Sequence, residues 1–338
     1  MTSLRRLTRR RRLLGLLAFL VLLISVPAWA PNRFWINVAS QALIFAIFAM
    51  SLDLLLGYGG MPSFGHAAFF AAGAYGCALW ALHRSPDLLP LLVIGLVGGA
   101  GMALIGAVAL RARGIFFLML TLAFGQMVWS VLSNNQLAGV LGGDIGLIGV
   151  PRPLVPFLPN VNLFQAANFY FLTLLVTVAV YLGLAVIVAS PFGRTLEGIR
   201  ENEARMQSLG TFTYRYRLAA FVIAGALAGV AGMLSASFNF SATPSSAFWT
   251  TSGLAMIAVI VGGTRSLIGP AVGAMLVVLL QLGLSSLPAR GLAEHWQLVL
   301  GAVFIAFVLF LPGGLYALVP HPDPPPQAGE GASRGRVS

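Results

Sequence analysis

The sequence predicts an all-α fold, a polytopic integral membrane bundle of about ten transmembrane helices with both termini in the cytoplasm. Three observations lead there. Hydrophobic residues make up 58% of the 338-residue chain and charged residues 9%, at a mean hydropathy of +0.90. A chain with so little polar surface needs a solvent other than water. Its apolar residues fall into runs close to the ~20 that a helix needs to cross a bilayer. Its 20 basic residues, every one an arginine, divide unequally between the two sides that those runs define.

The first run, 13–30, follows an Arg-rich segment at 1–12. Ala28-Trp29-Ala30 at its end fits a signal-peptide cleavage site. The run is long for a signal core and further spans follow, so a retained first span is expected; either reading leaves the N-terminal arginines inside. Spans are then expected at 34–56, 64–82, 88–110, 114–134, 168–190, 217–238, 249–263, 268–287 and 296–312. The segment 249–263 is short and rich in Gly, Ser and Thr, and reads as broken or partly spanning. The transmembrane domain thus covers 13–316, and the Pro- and Gly-rich tail 317–338 is expected to be a disordered cytoplasmic extension. With this layout sixteen arginines share the N-terminal side, and Arg33, Arg84, Arg152 and Arg290 take the other. That bias is the positive-inside pattern.

The same pattern excludes a nucleic-acid partner. The formal charge of +11 is spread between apolar runs rather than gathered on a water-exposed domain. With no lysine, the chain has neither a P-loop nor a Schiff-base amine. If its transport is ATP-driven, the motor is on another chain. No catalytic constellation and no metal-ligand set is expected, because the four histidines are scattered. Cys77, the single cysteine, reads as a small packing residue.

Polar residues inside the spans are the candidates for a translocation path. Gln126, Ser130 and Ser133 follow one another at i, i+4 and i+7, one stripe of a helix. They suit a path lining or interhelical hydrogen bonds equally. The stretch GYGGMPSFGHAAFF (57–70) interrupts a hydrophobic region and carries Ser63 and His66. It reads as a tight cytoplasmic turn, with a helix broken at membrane depth as the alternative. Asp53, the one acid inside an expected span, is placed to stabilise that turn, although an intramembrane acid also admits a gradient-driven carrier. The pairs Gly95/Gly99, Gly225/Gly229 and Gly269/Gly273 are spaced for close helix approach.

One cytoplasmic stretch departs from everything around it. GRTLEGIRENEARMQSLG (193–210) puts six charges into the twelve residues from Arg194 to Arg205. On a helical wheel Leu196, Ile199, Met206 and Leu209 share one arc, while Arg194, Glu197, Arg200, Glu201 and Arg205 share another. Glu203 falls on the apolar arc, as the exception. Gly210 is a plausible C-terminal stop. The mixed signs suit a soluble protein partner better than anionic lipid.

This stretch, with the preceding SPF and the following RYRLAAFVIAGALAGVAGML, resembles the permeases of branched-chain amino-acid ABC importers, in their longer, LivM-type kind. GYGGMPSFGHAAFFAAGAY, RARGIFFLMLTLAFGQM, GGDIGLIGVPRP, VIVGGTRSLIGPAVGAML and WQLVLGAVFIAFVLFLPGGL match in order, so the likeness covers residues 34–316. The resemblance implies a multi-pass protein of the bacterial inner membrane, paired with a second permease subunit. It further implies two cytoplasmic ATPase subunits that hold the ATP and magnesium, and an extracytoplasmic substrate-binding protein. Residues 193–210 would then be the helix that couples to an ATPase. Arg194, Glu197, Arg200, Glu201, Glu203 and Arg205 would supply polar contacts, and Leu196, Ile199 and Met206 would pack on it. Leu141 stands where relatives often carry Thr or Asn before the GG of an extracytoplasmic loop. Permeases for urea, amides and small aromatic acids belong to the same family.

Overall fold

A computed structural model describes residues 21–28, 30, 32–154 and 162–285, and positions 298, 301, 302, 304 and 305. The Arg-rich segment 1–12, the start of the first expected span, most of 296–312 and the tail 317–338 lie outside the described residues. Helix α1 (Arg33–Asp53) continues as a π-helical turn, Leu54–Tyr58. It is followed by α2 (His66–His83), α3 (Leu88–Gly106), α4 (Ile115–Leu132), α5 (Ala166–Ala189), α6 (Pro191–Glu201), α7 (Glu203–Ser208), α8 (Thr213–Asn239), α9 (Trp249–Gly262) and α10 (Ile268–Ser285). Among the described residues, five segments are long and apolar enough to cross a membrane: Arg33–Tyr58, Leu88–Arg111, Ile115–Leu132, Ala166–Ala189 and Thr213–Asn239. Trp249–Gly262 and Ile268–Gly283 are shorter apolar helices. The protein is an all-α, multi-pass membrane protein.

Glycines set the packing at its centre. A Cβ on Gly99 of α3 would stand 2.9 Å from the Gly229 Cα of α8, and one on Gly95 would stand 3.1 Å from the Gly229 carbonyl. Gly73 of α2 meets the same Gly229, and Gly232 meets the Phe70 carbonyl. Two of the G-x-x-x-G pairs therefore face each other, with α2 closing the third side, and the backbones themselves are in contact. The third pair does the same locally, Gly273 of α10 approaching the Gly262 amide of α9. Outward, α3 exposes Leu89, Val93, Val97 and Ile105, the apolar surface that lipid requires.

Connections alternate between two ends. At one, called the charged end here, segments 53–61, 111–114, 190–213 and 263–267 lie together. At the far end, β1 (Leu147–Ile148) pairs antiparallel with β2 (Ser241–Ala242), and Leu154 exchanges backbone hydrogen bonds with Pro86 and Leu88. Arg152 is buried there. Its Nη1 donates to the Leu163 carbonyl at 2.6 Å, and its guanidinium lies between the rings of Phe169 and Phe240 at 4.7 and 5.0 Å. Burial pushes the Arg152 pKa below the ordinary arginine value. An arginine on this side is thus accounted for by an enclosed aromatic clamp.

The expected turn between the second and third spans is a re-entrant segment. His66 Nε2 lies 2.8 Å from Ser51 Oγ, and Ser51 is about two helical turns back from Tyr58, or ~10 Å along the axis. From the charged end the chain therefore climbs back into the protein before α2 starts. Three glycines and Pro62 suit that course, and Gly65 sits where a Cβ would strike the Thr121 carbonyl. Helix α9 begins beside the same point: Ser252 Oγ accepts from the Ala67 amide at 2.8 Å, and the Phe64 and Trp249 rings meet at 6.2 Å. From there its 14 residues reach only the charged end, so the partly spanning reading of 249–263 describes it.

Candidate functional site

The charged stretch folds as two helices, not one. Pro191 opens α6 at its first turn, where a fixed φ helps and no amide is lost. Asn202, extended at φ −157°, ends α6 and caps α7, its Oδ1 accepting from the Arg205 amide at 2.9 Å. Glu201 and Arg205 are therefore not an i, i+4 pair on one helix. Gly210, at φ 81°, closes α7 as expected.

The break redistributes the two faces. Leu196 and Ile199 are buried within this chain, and Met206 packs back onto α6, its Sδ 2.9 Å from where a Cβ of Gly198 would be. For Leu196 and Ile199 the expectation of packing on a partner is corrected, because α6 lies on the bundle and their apolar contact is made internally; Met206 stays half-buried. Arg194, Glu201 and Arg205 remain exposed, together with Leu209 and Phe212 at 72% and 71% exposure.

Charged side chains on the inner face tie α6 and α7 to three segments of the charged end. Glu197 Oε1 accepts from Arg265 Nη2 at 3.3 Å. Arg200 Nη1 donates to the Gly57 carbonyl. Arg265 itself holds φ 67°, a costly conformation for a side chain of its size, and is fixed from both ends of its peptide. Its amide donates to Asp53 Oδ1 at 3.2 Å, and its carbonyl accepts from the Tyr58 hydroxyl at 3.0 Å. Asp53 thus joins 53–57 to the 263–266 loop, a longer reach than the turn assigned to it from sequence.

Glu203, the exception on the wheel, is the third tie. Its Oε2 lies 3.2 Å from Arg113 Nε, its Oε1 lies 3.7 Å from Arg217 Nη1, and the Thr213 hydroxyl donates to Oε1 at 2.9 Å. Buried Arg217 also donates to Met61 Sδ and to the Ala112 carbonyl. Arg113, Thr213, Arg217 and Arg265 were not legible as site residues. The one available signal was an acid on an apolar arc, which calls for a cation facing it.

The expected path residues do not converge. Ser63 and His66 are fully buried, and His66 stacks on Phe48 at 5.1 Å and meets Phe69 edge-on. On α4 the inward stripe is Phe117, Thr121, Gly125, Val128 and Leu132. Ser130 is exposed and Gln126 and Ser133 are half-buried, on faces turned away from Ser63 and His66. Polar groups gather elsewhere, around a cavity of about 330 Å³ between α1, α2, α8 and the segment leading into α9. Gln41, Asn239 and the hydroxyls of Ser245 and Thr251 line it, over Phe70 and Ala74.

The profile of the family described as branched-chain amino acid transport system, permease component, matches residues 34–308. The chain belongs to this permease family. It is 30% identical to the high-affinity branched-chain amino acid transport system permease protein LivM of Escherichia coli (strain K12), over 95% of this chain and 78% of that protein. The Salmonella typhimurium LivM is also 30% identical, over 89% of this chain and 74% of that protein. The ribose import permease protein RbsC of Escherichia coli (strain K12) is 24% identical, over 88% and 92%. No solved structure matches the chain. As a family permease it is a transport subunit.

Proposed function

We propose that this chain is the permease subunit of an ABC importer for branched-chain, hydrophobic amino acids in a bacterial inner membrane, with its charged end in the cytoplasm. It pairs with a second permease subunit. Two cytoplasmic ATPase subunits, which bind ATP and magnesium, drive it, and an extracytoplasmic binding protein supplies the substrate. One observation carries the coupling role: α6–α7 is tied to 53–60, 111–113 and 263–266 on its inner face, yet leaves Arg194, Glu201, Arg205, Leu209 and Phe212 exposed on the other. A segment built this way passes a push from an outer partner to three connections at once. The names of the LivM relatives and the arginine distribution support the substrate and the orientation. Gln126 and Ser130 face out of this chain, so they would line a path only where a second permease subunit meets it.

The test is reconstitution of the complex with its binding protein in proteoliposomes. Leucine uptake should require ATP on the cytoplasmic side, and competition by urea, amides, small aromatic acids and ribose separates the other solutes of the family. Uptake by the isolated polypeptide without nucleotide would overturn the reading.

A further inference from the structure

We propose that the cavity between α1, α2, α8 and the 241–251 segment receives the transported solute as a zwitterion, its ammonium among hydroxyl oxygens and its apolar side chain over Phe70 and Ala74. The inference rests on the permease reading above and deepens it by naming a site and a substrate class. At about 330 Å³ the cavity has room for a leucine-sized molecule. It opens near the far end, beside β2, and reaches inward to Phe70 and Ala74, one and two turns into the re-entrant α2.

The donor and acceptor pattern selects the solute. Among the described residues, no charged one lines the cavity. The Ser241 hydroxyl already donates to the Asn239 carbonyl at 3.3 Å, that of Ser246 to the Thr243 carbonyl at 2.7 Å, and that of Thr251 to the Ser245 carbonyl at 3.4 Å. With their hydrogens committed to the backbone, these oxygens present lone pairs, which suits an ammonium with its three donors. Donors for a carboxylate come from the amides: Asn239 Nδ2 gives one hydrogen to Ser235 Oγ at 3.2 Å and keeps the other, and Gln41 supplies a second amide from α1. Without a formal countercharge a zwitterion is held weakly, as a solute that must move on requires.

The experiment uses the assembled complex in proteoliposomes with Ser245→Cys, alkylated by a membrane-impermeant maleimide from the binding-protein side. The unsubstituted chain, whose single cysteine Cys77 is buried, gives the blank. Saturating leucine should slow labelling about threefold or more. Neither 4-methyl-2-hydroxypentanoate, which lacks the ammonium, nor ribose should protect. Thr251→Val, which removes one hydroxyl at nearly constant volume, should raise the half-protecting leucine concentration about tenfold. Labelling unaffected by leucine in a complex that imports leucine overturns the site and spares the function. Equal protection by the hydroxy acid or ribose overturns the zwitterion assignment. A complex that imports ribose but no leucine overturns the function and the inference together.

Discussion

The Glu203 carboxylate and the Arg217 guanidinium lie 3.7 Å apart, joining the α6–α7 segment to the first turns of α8. Arg217 is buried, its side chain 9% exposed, whereas Arg113, the other cation on Glu203, is 65% exposed. The two ion pairs are therefore unequal. Water screens the charge of exposed Arg113, while buried Arg217 has no other carboxylate within ion-pair distance among the described residues.

Glu203→Gln should lower the stability of the detergent-purified complex by about 2–4 kcal/mol, because it leaves the buried Arg217 without its anion. Arg113→Gln should cost no more than about 1 kcal/mol. Thermal unfolding of the two variants side by side checks the ranking. Equal losses would show that the exposed pair matters as much as the buried one.

Charge reversal on the outer face should act differently. Glu201→Arg combined with Arg205→Glu changes exposed groups that make no ion pair among the described residues, so the permease should fold normally. ATPase co-purification should weaken by about tenfold, corresponding to a loss of ~1.4 kcal/mol at the docking surface. Pull-down at graded salt measures it, and undiminished capture would remove the outer face from the docking surface.

Gly229→Ala places a methyl group against the α3 backbone, at the Gly95 carbonyl and at the Gly99 amide and Cα. Overpacking of this kind costs about 1–3 kcal/mol or more where backbone is the obstacle. The expected outcome is a lower melting temperature and reduced membrane yield, whereas Gly101→Ala, with open space at its Cβ position, should leave both unchanged.

Asp53→Asn retains an oxygen to accept from the Arg265 amide and should preserve ATP-driven uptake, with no dependence on a proton or sodium gradient. Uptake in proteoliposomes with and without ionophores is the measurement. Loss of uptake together with gradient dependence would favour a gradient-driven carrier.

Much of the architecture was legible because it is local. Apolar runs mark helices, arginines mark a side, and the spacing of Gly95/Gly99 and Gly225/Gly229 anticipated a seam that the structure forms between α3 and α8. The break at Asn202 was missed because no Gly or Pro announces it, and an Asn within a charged run reads as one more surface residue. The re-entrant course of 59–65 depends on Ser51, Thr121 and Ser252, from three other helices. No pattern within GYGGMPSFG could specify those partners. Leu196 and Ile199 were assigned to the right helix but to the wrong neighbour, since a wheel shows which residues share a face and not what covers it.

At every glycine of the seam through Gly73, Gly95, Gly99, Gly225 and Gly229 backbone meets backbone, with the Cβ atoms of Ala103 and Met233 beside it. Those backbone contacts have no rotamers to exchange, so α2, α3 and α8 do not slide past one another by small side-chain steps. Any alternation between outward and inward openings has to carry these three helices as one solid piece. The deformation then falls on the chain segments at the charged end, where Arg265 already sits in a left-handed conformation between Asp53 and Glu197.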